Sequence, residues 1–418
     1  MDHFQYRGSS LFAEDVDLEH LAKEFGTPCY VYSRATLERH WKAFDSAFGT
    51  QPHLVCYAVK ANSNVAVLDT LARLGSGFDI VSAGELQRVL RAGGEPSRII
   101  FSGVGKQRDE IVQAINAGIG CFNIESADEL ELLQATARDI DRVVPVSIRV
   151  NPDVDPHTHP YISTGLRESK FGVPIDDAVM LYQRIESMSH LKVHGVDCHI
   201  GSQLMSLGPY LDAITRVLSL VDELNELGIQ ISSFNAGGGL GIRYHEEQPP
   251  EPKALVKALI EQVEGRALTV QVEPGRAIAG NAGILLTRVQ FLKHNDVRNF
   301  AVVDAAMNDL IRPALYDGWH EIVPVDAPAT GRGDRKLYDV VGPVCESADF
   351  LGKQRPLDIG IGDLLAVRSA GAYSFVMSSN YNSRPRACEI MVDGDRTHVV
   401  RKRECTADLF ANESLLPV

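Results

Sequence analysis

A lysine at the end of an apolar run is the first residue whose type and position could do chemistry. Residues 54–59 carry no charge, and the run ends abruptly on Lys60. Such a run between turn-prone segments is typical of a buried parallel strand, with the lysine at its C-terminal edge. Partial desolvation there favours the neutral, nucleophilic amine that Schiff-base chemistry needs. The structural alternative is a lysine that only snorkels from the strand end.

Two further segments could supply partners to a reactive lysine. The glycine-rich run Asn235-Ala236-Gly237-Gly238-Gly239-Leu240-Gly241 can turn several backbone N–H groups toward a phosphate, unless it is only a flexible turn. Glu273 follows another apolar run, and we expect the nearby Arg276 to lower the pKa of its carboxyl and keep it ionised. An ionised carboxylate could hold a pyridine nitrogen protonated, whereas a strand-end ion pair is the structural alternative.

Histidines offer a third kind of group. In His199-Ile200-Gly201-Ser202-Gln203, the imidazole could stack on an aromatic cofactor, and Ser202 could donate to a phosphate. A lone histidine at a strand end is more often structural. His157 and His159 suggest a metal pair, but no third ligand has a recognisable spacing to them. The sequence therefore predicts no metal site.

The elements that would position these residues alternate regularly. Short apolar runs, separated by helical patterns, occupy residues 54–59, 78–81, 99–101, 121–124, 143–150, 193–200, 229–234 and 268–272. About eight such strand–helix units over roughly 250 residues are typical of a closed (β/α)8 TIM-type barrel, in the α/β class. An open doubly wound sheet is the alternative. In a barrel, the polar residues at the strand ends meet at the C-terminal face, where chemistry is built.

The pattern changes beyond residue 280. Residues 284–294, 300–303, 338–341, 364–367 and 388–392 are typical of strands separated by turns. We therefore predict a barrel domain at 34–280 and a β-rich domain at 281–418, which the N-terminal segment 1–33 joins. The loop at 324–335 is predicted to be a mobile surface.

Composition limits the function classes. The chain has 418 residues and a formal net charge of -14, which argues against nucleic acid or an anionic membrane as a partner. The opening residues predict no signal peptide, and no apolar run is long enough to span a membrane. The 7 cysteines are scattered, so we expect reduced thiols in a cytoplasmic protein.

The motifs together resemble one family. The chain closely resembles the diaminopimelate decarboxylases, group III pyridoxal-phosphate enzymes that form L-lysine from meso-diaminopimelate. The resemblance spans nearly the whole chain. Its motifs are Tyr57-Ala58-Val59-Lys60-Ala61-Asn62, Phe78-Asp79-Ile80-Val81-Ser82-Ala83-Gly84-Glu85-Leu86, Ser169-Lys170-Phe171-Gly172, His199-Ile200-Gly201-Ser202-Gln203, Gly237-Gly238-Gly239-Leu240-Gly241-Ile242, Glu273-Pro274-Gly275-Arg276, Cys345-Glu346-Ser347 and Gly371-Ala372-Tyr373-Ser374.

The resemblance implies a role for each matching residue. Lys60 would hold pyridoxal 5'-phosphate covalently, His199 would stack on its ring, and Glu273 would contact the ring nitrogen. The other implied cofactor-binding residues are Asp79, Ser202, Gly238, Gly275, Arg276 and Tyr373. Cys345, contributed by the partner subunit, would deliver the proton after carbon dioxide leaves.

The resemblance also implies how the substrate is chosen. Arg276 and Arg312 would clamp the distal carboxylate of diaminopimelate, Tyr316 and Tyr373 would donate hydroxyl groups, and Glu346 would take the distal ammonium. These roles imply a homodimer with shared active sites.

Three alternatives stay open. Ornithine-type decarboxylases share the fold, but a second arginine in the pocket would not help their substrates. Alanine racemases share the barrel, but their family has an arginine at the pyridine nitrogen, where this chain has Glu273. A non-catalytic relative that binds pyridoxal phosphate is the third alternative, and the presence of Lys60, Cys345 and Glu346 together argues against it.

Overall fold

The structure, a computed structural model, describes residues 2–155, 169–326 and 335–417. It separates the chain into two units. The barrel unit comprises Glu38–Ile242 and Glu247–Ile278, and the sheet unit comprises Met1–Leu37, Arg243–Glu246 and Ala279–Val418. The domain bounds inferred from the sequence stay a prediction.

The N-terminal elements begin with a small antiparallel sheet of three strands. These elements are β1 (Phe4–Arg7), β2 (Ser10–Ala13), β3 (Val16–Asp17), α1 (Leu18–Phe25), β4 (Cys29–Ser33) and α2 (Arg34–Asp45). Asp17 caps α1 by accepting the Glu19 N–H at 2.8 Å. β4 is buried along its whole length because it lies inside the large sheet described below.

Parallel strands close into a barrel in the barrel unit. They are β5 (His53–Ala58), β6 (Gly77–Ile80), β7 (Ile99–Phe101), β8 (Cys121–Ile124), β9 (Val144–Asn151), β10 (Val173–Pro174), β11 (Leu191–Asp197), β12 (Ser233–Asn235) and β13 (Thr269–Val272). β13 pairs with β5 and closes the ring, whereas β10 pairs with β9 alone. The predicted (β/α)8 barrel is confirmed, and the open sheet is excluded.

Helices follow the barrel strands. They are α3 (Val65–Arg73), α4 (Ala83–Arg91), α5 (Arg108–Ala117), α6 (Ala127–Asp139), α7 (Ile175–Glu186), α8 (Gly208–Glu226), α9 (Pro252–Val263) and α10 (Arg276–Ala279). Asn64, Ser82 and Ser126 cap α3, α4 and α6 by accepting backbone N–H groups. Each of these caps starts its helix within a few residues of the end of the preceding strand. The ends of these strands therefore lie together at one rim of the barrel.

The sheet unit holds a second, nine-stranded sheet. After β4 its elements are β14 (Gly283–His294), β15 (Asn299–Val303), α11 (Arg312–Tyr316), β16 (Ile322–Pro324), β17 (Lys336–Val341), β18 (Phe350–Leu357), β19 (Leu364–Val367), β20 (Cys388–Asp393) and β21 (Arg396–Arg401). The main path runs β18-β17-β15-β14-β4-β20-β21, and β19 pairs with β14 and β16. The prediction of a β-rich region is confirmed, and N-terminal β4 pairs within its sheet.

Some local predictions were wrong. Lys60 and His199 lie beyond the ends of β5 and β11, because those strands stop at Ala58 and Asp197. β18 and β21 were missed because their burial patterns mix exposed and buried positions without a clear apolar run.

His157, His159 and residues 327–334 of the predicted mobile loop lie outside the described residues. Within the described parts of the chain, no group of three or more side chains could hold a metal ion. The helices in those same parts include none long and apolar enough to cross a membrane.

Candidate active site

Lys60 lies in a single helical turn rather than on a strand. A 3-10 turn at Val59–Ala61 follows β5 directly, and the Tyr57 hydroxyl donates to the Asn62 carbonyl at 3.2 Å across it. The turn brings Lys60 Nζ to 2.6 Å from Oδ2 of Asp79 on β6. The Asp79 side chain is fully buried, whereas 38% of the Lys60 side chain is exposed. The amine is therefore both anchored and reachable.

Asp79 has a second oxygen with no such anchor. Its Oδ1 atom is buried and has no hydrogen-bond partner among the described residues. A buried carboxylate oxygen without a partner is costly, which favours a site that a polar or cationic ligand completes.

Glu85 is a neighbour that sequence reasoning did not single out. Its carboxylate accepts the Val81 N–H at 2.7 Å, and its own N–H donates to Ser82 Oγ at 3.2 Å. Burial raises the pKa of Glu85 to about 7, although the hydrogen bond from Val81 and the charge of Lys60 act in the opposite direction. The capping-box spacing of Ser82 and Glu85 was the available signal.

Glu273 contradicts one expectation about the site. It follows β13, and the Asn235 side-chain amide donates to its Oε1 atom at 2.6 Å. Burial and the nearby carboxylates of Asp79 and Asp197 raise the pKa of Glu273 well above its ordinary value. The predicted lowering by Arg276 is wrong, because the Arg276 guanidinium is directed to Ser202 Oγ at 3.0 and 3.3 Å. A cation facing Glu273 would therefore be strongly favoured.

Arg149 is the buried cation that sequence reasoning left without a role. Its Nη1 atom lies 3.2 and 3.3 Å from the two carboxylate oxygens of Glu125, and its Nε atom lies 4.0 Å from Asp197 Oδ2. Burial nevertheless raises the pKa of Asp197 to about 7. The sequence offered one signal that Asp197 belongs to the site, which is its position two residues before His199 at the end of β11.

His199 is held in one protonation state. Its Nδ1 atom accepts the Gly238 N–H at 3.1 Å. Burial, together with the charges of Arg149 and Lys60, lowers the pKa of His199 well below its ordinary value. The ring is therefore neutral with its proton on Nε2, and it presents an uncharged aromatic face that suits stacking.

The glycine-rich segment passes too close to its neighbours for larger residues. A Cβ atom at Gly238 would lie 2.1 Å from the Glu273 carbonyl oxygen, and one at Gly275 would lie 3.0 Å from the Cβ atoms of Ala58 and Ala61. The segment therefore lies against Glu273, and the Glu273–Arg276 turn lies directly beside the Lys60 turn. Ser202 and Arg276 add a hydroxyl and a guanidinium, which are groups that bind phosphate.

The donor set in the barrel unit fits pyridoxal phosphate. An amine is available for the aldehyde, a buried carboxylate for the ring nitrogen, a neutral imidazole for the ring face, and glycine, serine and arginine groups for the phosphate. The predicted residues that this unit brings together are Lys60, Asp79, His199, Ser202, Gly238, Glu273, Gly275 and Arg276.

The remaining predicted residues lie in the sheet unit. Cys345 and Glu346 are exposed, with the Cys345 N–H bound to Asn382 Oδ1 at 2.8 Å and the Tyr381 hydroxyl 3.3 Å from Glu346. Arg312 is buried at the start of α11, Tyr316 ends that helix, and Tyr373 has a φ of 55°. Such a φ is uncommon for tyrosine and indicates a constrained turn.

Comparison with known proteins agrees with this donor set. Residues 34–280 match the family described as "Pyridoxal-dependent decarboxylase, pyridoxal binding domain". Diaminopimelate decarboxylase of Vibrio cholerae is 57% identical over 419 residues, and that of Pseudomonas aeruginosa is 58% identical over 417 residues. Each alignment covers 100% of both chains.

Solved structures show the same fold. The crystal structure of diaminopimelate decarboxylase from M. jannaschii in co-complex with L-lysine has a TM-score of 0.94 at 36% identity, covering 100% of this chain and 98% of that one. The Helicobacter pylori enzyme complexed with L-lysine has a TM-score of 0.91 at 40% identity, covering 95% and 99% of the two chains. Because identity this high extends over the full length, the chain belongs to the diaminopimelate decarboxylase family of pyridoxal-dependent decarboxylases.

Proposed function

We propose that this chain decarboxylates meso-diaminopimelate to L-lysine and carbon dioxide, the last step of lysine biosynthesis. The observation that carries the proposal is the 2.6 Å pair of Lys60 and Asp79 in a chain 57% identical, end to end, to a diaminopimelate decarboxylase. We place the enzyme in the cytoplasm and expect it to act as a homodimer.

The barrel residues would hold and tune the cofactor. Pyridoxal phosphate, when bound, supplies an aromatic system that accepts the electron pair left behind as carbon dioxide departs. Lys60 would hold it covalently, and Asp79 would position the Lys60 side chain through their 2.6 Å contact. Burial and the neighbouring carboxylates disfavour a lone negative charge on Glu273, so a cation facing it would stabilise the ionised form, and Glu273 would form an ion pair with a protonated ring nitrogen.

His199 would fix the ring from one face. Its neutral state matters because a second positive charge over the ring would compete with the protonated nitrogen. Ser202, Gly238, Gly275 and Arg276 would bind the phosphate, and this orients the ring relative to Lys60.

The sheet-unit residues would act on the substrate. Cys345 of a second copy of the chain would protonate the α-carbon, a general-acid step worth roughly 10²–10⁴-fold. Glu346 would bind the distal ammonium, and Arg312 the distal carboxylate, with Arg276, Tyr316 and Tyr373 as further donors. A substrate without the distal carboxylate would lose these charge-assisted bonds.

Product analysis tests the proposal. The protein with added pyridoxal phosphate is incubated separately with meso-diaminopimelate, L-lysine, ornithine and arginine, and the release of carbon dioxide and of amino acid products is measured. Carbon dioxide and L-lysine should form from meso-diaminopimelate, and Lys60→Ala should abolish both. Turnover of ornithine or arginine instead would support an ornithine-type decarboxylase, and bound cofactor without any carbon dioxide release would support a non-catalytic relative.

A further inference from the structure

Arg312 is held by two aromatic rings of its own unit. Its Nη1 atom lies 2.8 Å from Nε2 of His320, and its guanidinium carbon lies 4.5 Å from the ring centroid of Tyr244. The rings of Tyr244 and His320 meet edge to face, 5.3 Å apart at 79°. Arg312 is only 7% exposed and His320 is completely buried. One N–H group of the guanidinium is therefore held by His320, and one of its flat faces lies on the Tyr244 ring.

The hydrogen bonds decide the protonation state of His320. Its Nδ1 atom lies 2.8 Å from the carbonyl oxygen of Arg368, and a carbonyl can only accept, so Nδ1 carries a proton. An arginine N–H can only donate, so Nε2 must offer its lone pair to Arg312. His320 is thus a neutral acceptor of a defined tautomer, fixed at one end to the backbone and at the other to the arginine.

We propose that His320 and Tyr244 are positioning residues that aim the Arg312 guanidinium at the distal carboxylate of the substrate. The inference rests on the proposed function, in which Arg312 binds that carboxylate. A guanidinium binds a carboxylate best when two parallel N–H groups face it, so the rotation of its plane matters as much as its charge. His320 fixes that rotation through one N–H, and the Tyr244 ring supports the flat face.

The competing explanation is that His320 only packs the sheet unit. A purely structural role would alter stability and every ligand alike. A role through Arg312 would alter only ligands that have a distal carboxylate. L-lysine keeps that carboxylate, because decarboxylation removes the other one, whereas pentane-1,5-diamine lacks it and serves as the internal comparison.

Two amide substitutions at His320 separate its two hydrogen bonds. Glutamine can place an oxygen near the Nε2 position and keep an acceptor for Arg312, whereas asparagine reaches only the Nδ1 position. His320→Asn should raise KM for meso-diaminopimelate by about 10-fold, and His320→Gln by no more than about threefold. Inhibition by pentane-1,5-diamine and the thermal stability of the holoenzyme should be similar in both variants.

A double-mutant cycle tests whether His320 acts through Arg312. Arg312→Ala alone should raise KM for meso-diaminopimelate, and His320→Asn should add no further increase in that background, because its only route to the substrate is gone. Additive increases in KM would contradict the proposal, as would equal weakening of pentane-1,5-diamine and meso-diaminopimelate.

Tyr244 gives a test that does not depend on a variant at the fully buried histidine. Tyr244→Phe keeps the ring under the guanidinium and should change KM less than Tyr244→Leu, which removes the ring. Equal effects of the two substitutions would exclude the ring face as a support.

The failure of the proposed function and the failure of the positioning role give different results. If the wild-type protein releases no carbon dioxide from meso-diaminopimelate, the proposed function fails. If it does and His320→Asn behaves like wild type, only the positioning role fails.

Discussion

Acidic side chains crowd around one amine in the barrel unit. Asp79 contacts Lys60 directly, and the charge of Lys60 also acts on the carboxyls of Glu85, Asp197 and Glu273. Burial excludes water and raises the pKa of these three carboxyls, and the negative charge of Asp79 raises each of them further. The site therefore favours added positive charge, which a protonated pyridine nitrogen would supply. Without that charge, the crowded carboxyls lower the stability of the folded protein.

The titration of Glu85 gives a residue-scale prediction. Its pKa of about 7 in the folded state exceeds the ordinary value of 4.5, so between these pH values the folded protein keeps a proton that the unfolded chain has lost. The stability associated with this group is fully present below pH 4.5 and is lost as pH rises through about 7. The wild type should therefore lose stability between about pH 5 and pH 8, where most of this change falls. Glu85→Gln should lose less stability over the same range.

Urea unfolding of the cofactor-free protein at both pH values checks this prediction. Glu226→Gln, an exposed change at the end of α8, is the control and should leave the pH dependence as it is. Identical pH dependence in Glu85→Gln and wild type would contradict the assigned shift.

At the scale of elements, a buried ion pair joins the loop after β7 to helix α6. Lys106 Nζ lies 2.5 Å from Glu129 Oε1, with side chains 1% and 8% exposed, and it also donates to the carbonyls of Gly103 and Asn123. Glu129 in turn accepts the N–H of Glu125, the residue that holds Arg149. The pair therefore supports the loops after β7 and β8, and through Glu125 it supports Arg149.

Removing one partner of this pair should be costly. Lys106→Met leaves Glu129 buried without its cation and should lower the free energy of unfolding by about 3–5 kcal/mol. Lys106→Met combined with Glu129→Gln keeps an acceptor for the Glu125 N–H without the charge, and it should recover part of that loss. Chemical denaturation measures both, and a loss below about 1 kcal/mol for the single variant would show that the pair does not support the barrel.

The glycine-rich segment after β12 gives a second element-scale prediction. Because a Cβ atom at Gly238 would lie 2.1 Å from the Glu273 carbonyl, Gly238→Ala must move either the segment or the Glu273 turn. Such a displacement should lower kcat/KM by about 100-fold. Gly208→Ala is the control, since a Cβ atom there meets nothing within 4 Å. Near-normal kinetics in Gly238→Ala would show that the close approach is not needed.

At the scale of the whole molecule, the N-terminal and C-terminal regions build one sheet. β4 pairs with β14 on one side and β20 on the other, so residues 29–33 connect strands that begin about 250 and 360 positions later. The sheet unit that contains Cys345 therefore depends on both ends of the chain. We expect truncation at either end to damage it.

Shared sites in a homodimer can be tested by complementation. Lys60→Ala and Cys345→Ala chains should each be inactive alone, because each lacks one group of the proposed site. If Cys345 serves the partner's Lys60, equal mixtures that exchange subunits should regain about a quarter of wild-type activity, since half the dimers carry one intact site. Mass-tagged chains establish the exchange, and exchanged dimers without activity would argue for sites built within one chain.

The sequence by itself determined the barrel and the second sheet. Apolar runs such as 99–101 and 364–367 become strands because a buried strand favours an uninterrupted apolar stretch, and the alternation with helices in the barrel favours parallel pairing there. The family resemblance then supplied the roles of Lys60, His199 and Glu273, and full-length identity to diaminopimelate decarboxylases supports that resemblance.

Only the tertiary structure decided the electrostatics of those residues. The pKa of Glu273 follows from burial and from Asp79 and Asp197, which lie on other strands of the barrel, and not from Arg276 three positions away. In the same way, His320 contacts Arg312 only eight positions earlier, but the ring that completes their arrangement is Tyr244, 68 positions before Arg312. Charge and packing act through space, and sequence distance does not report which groups share that space.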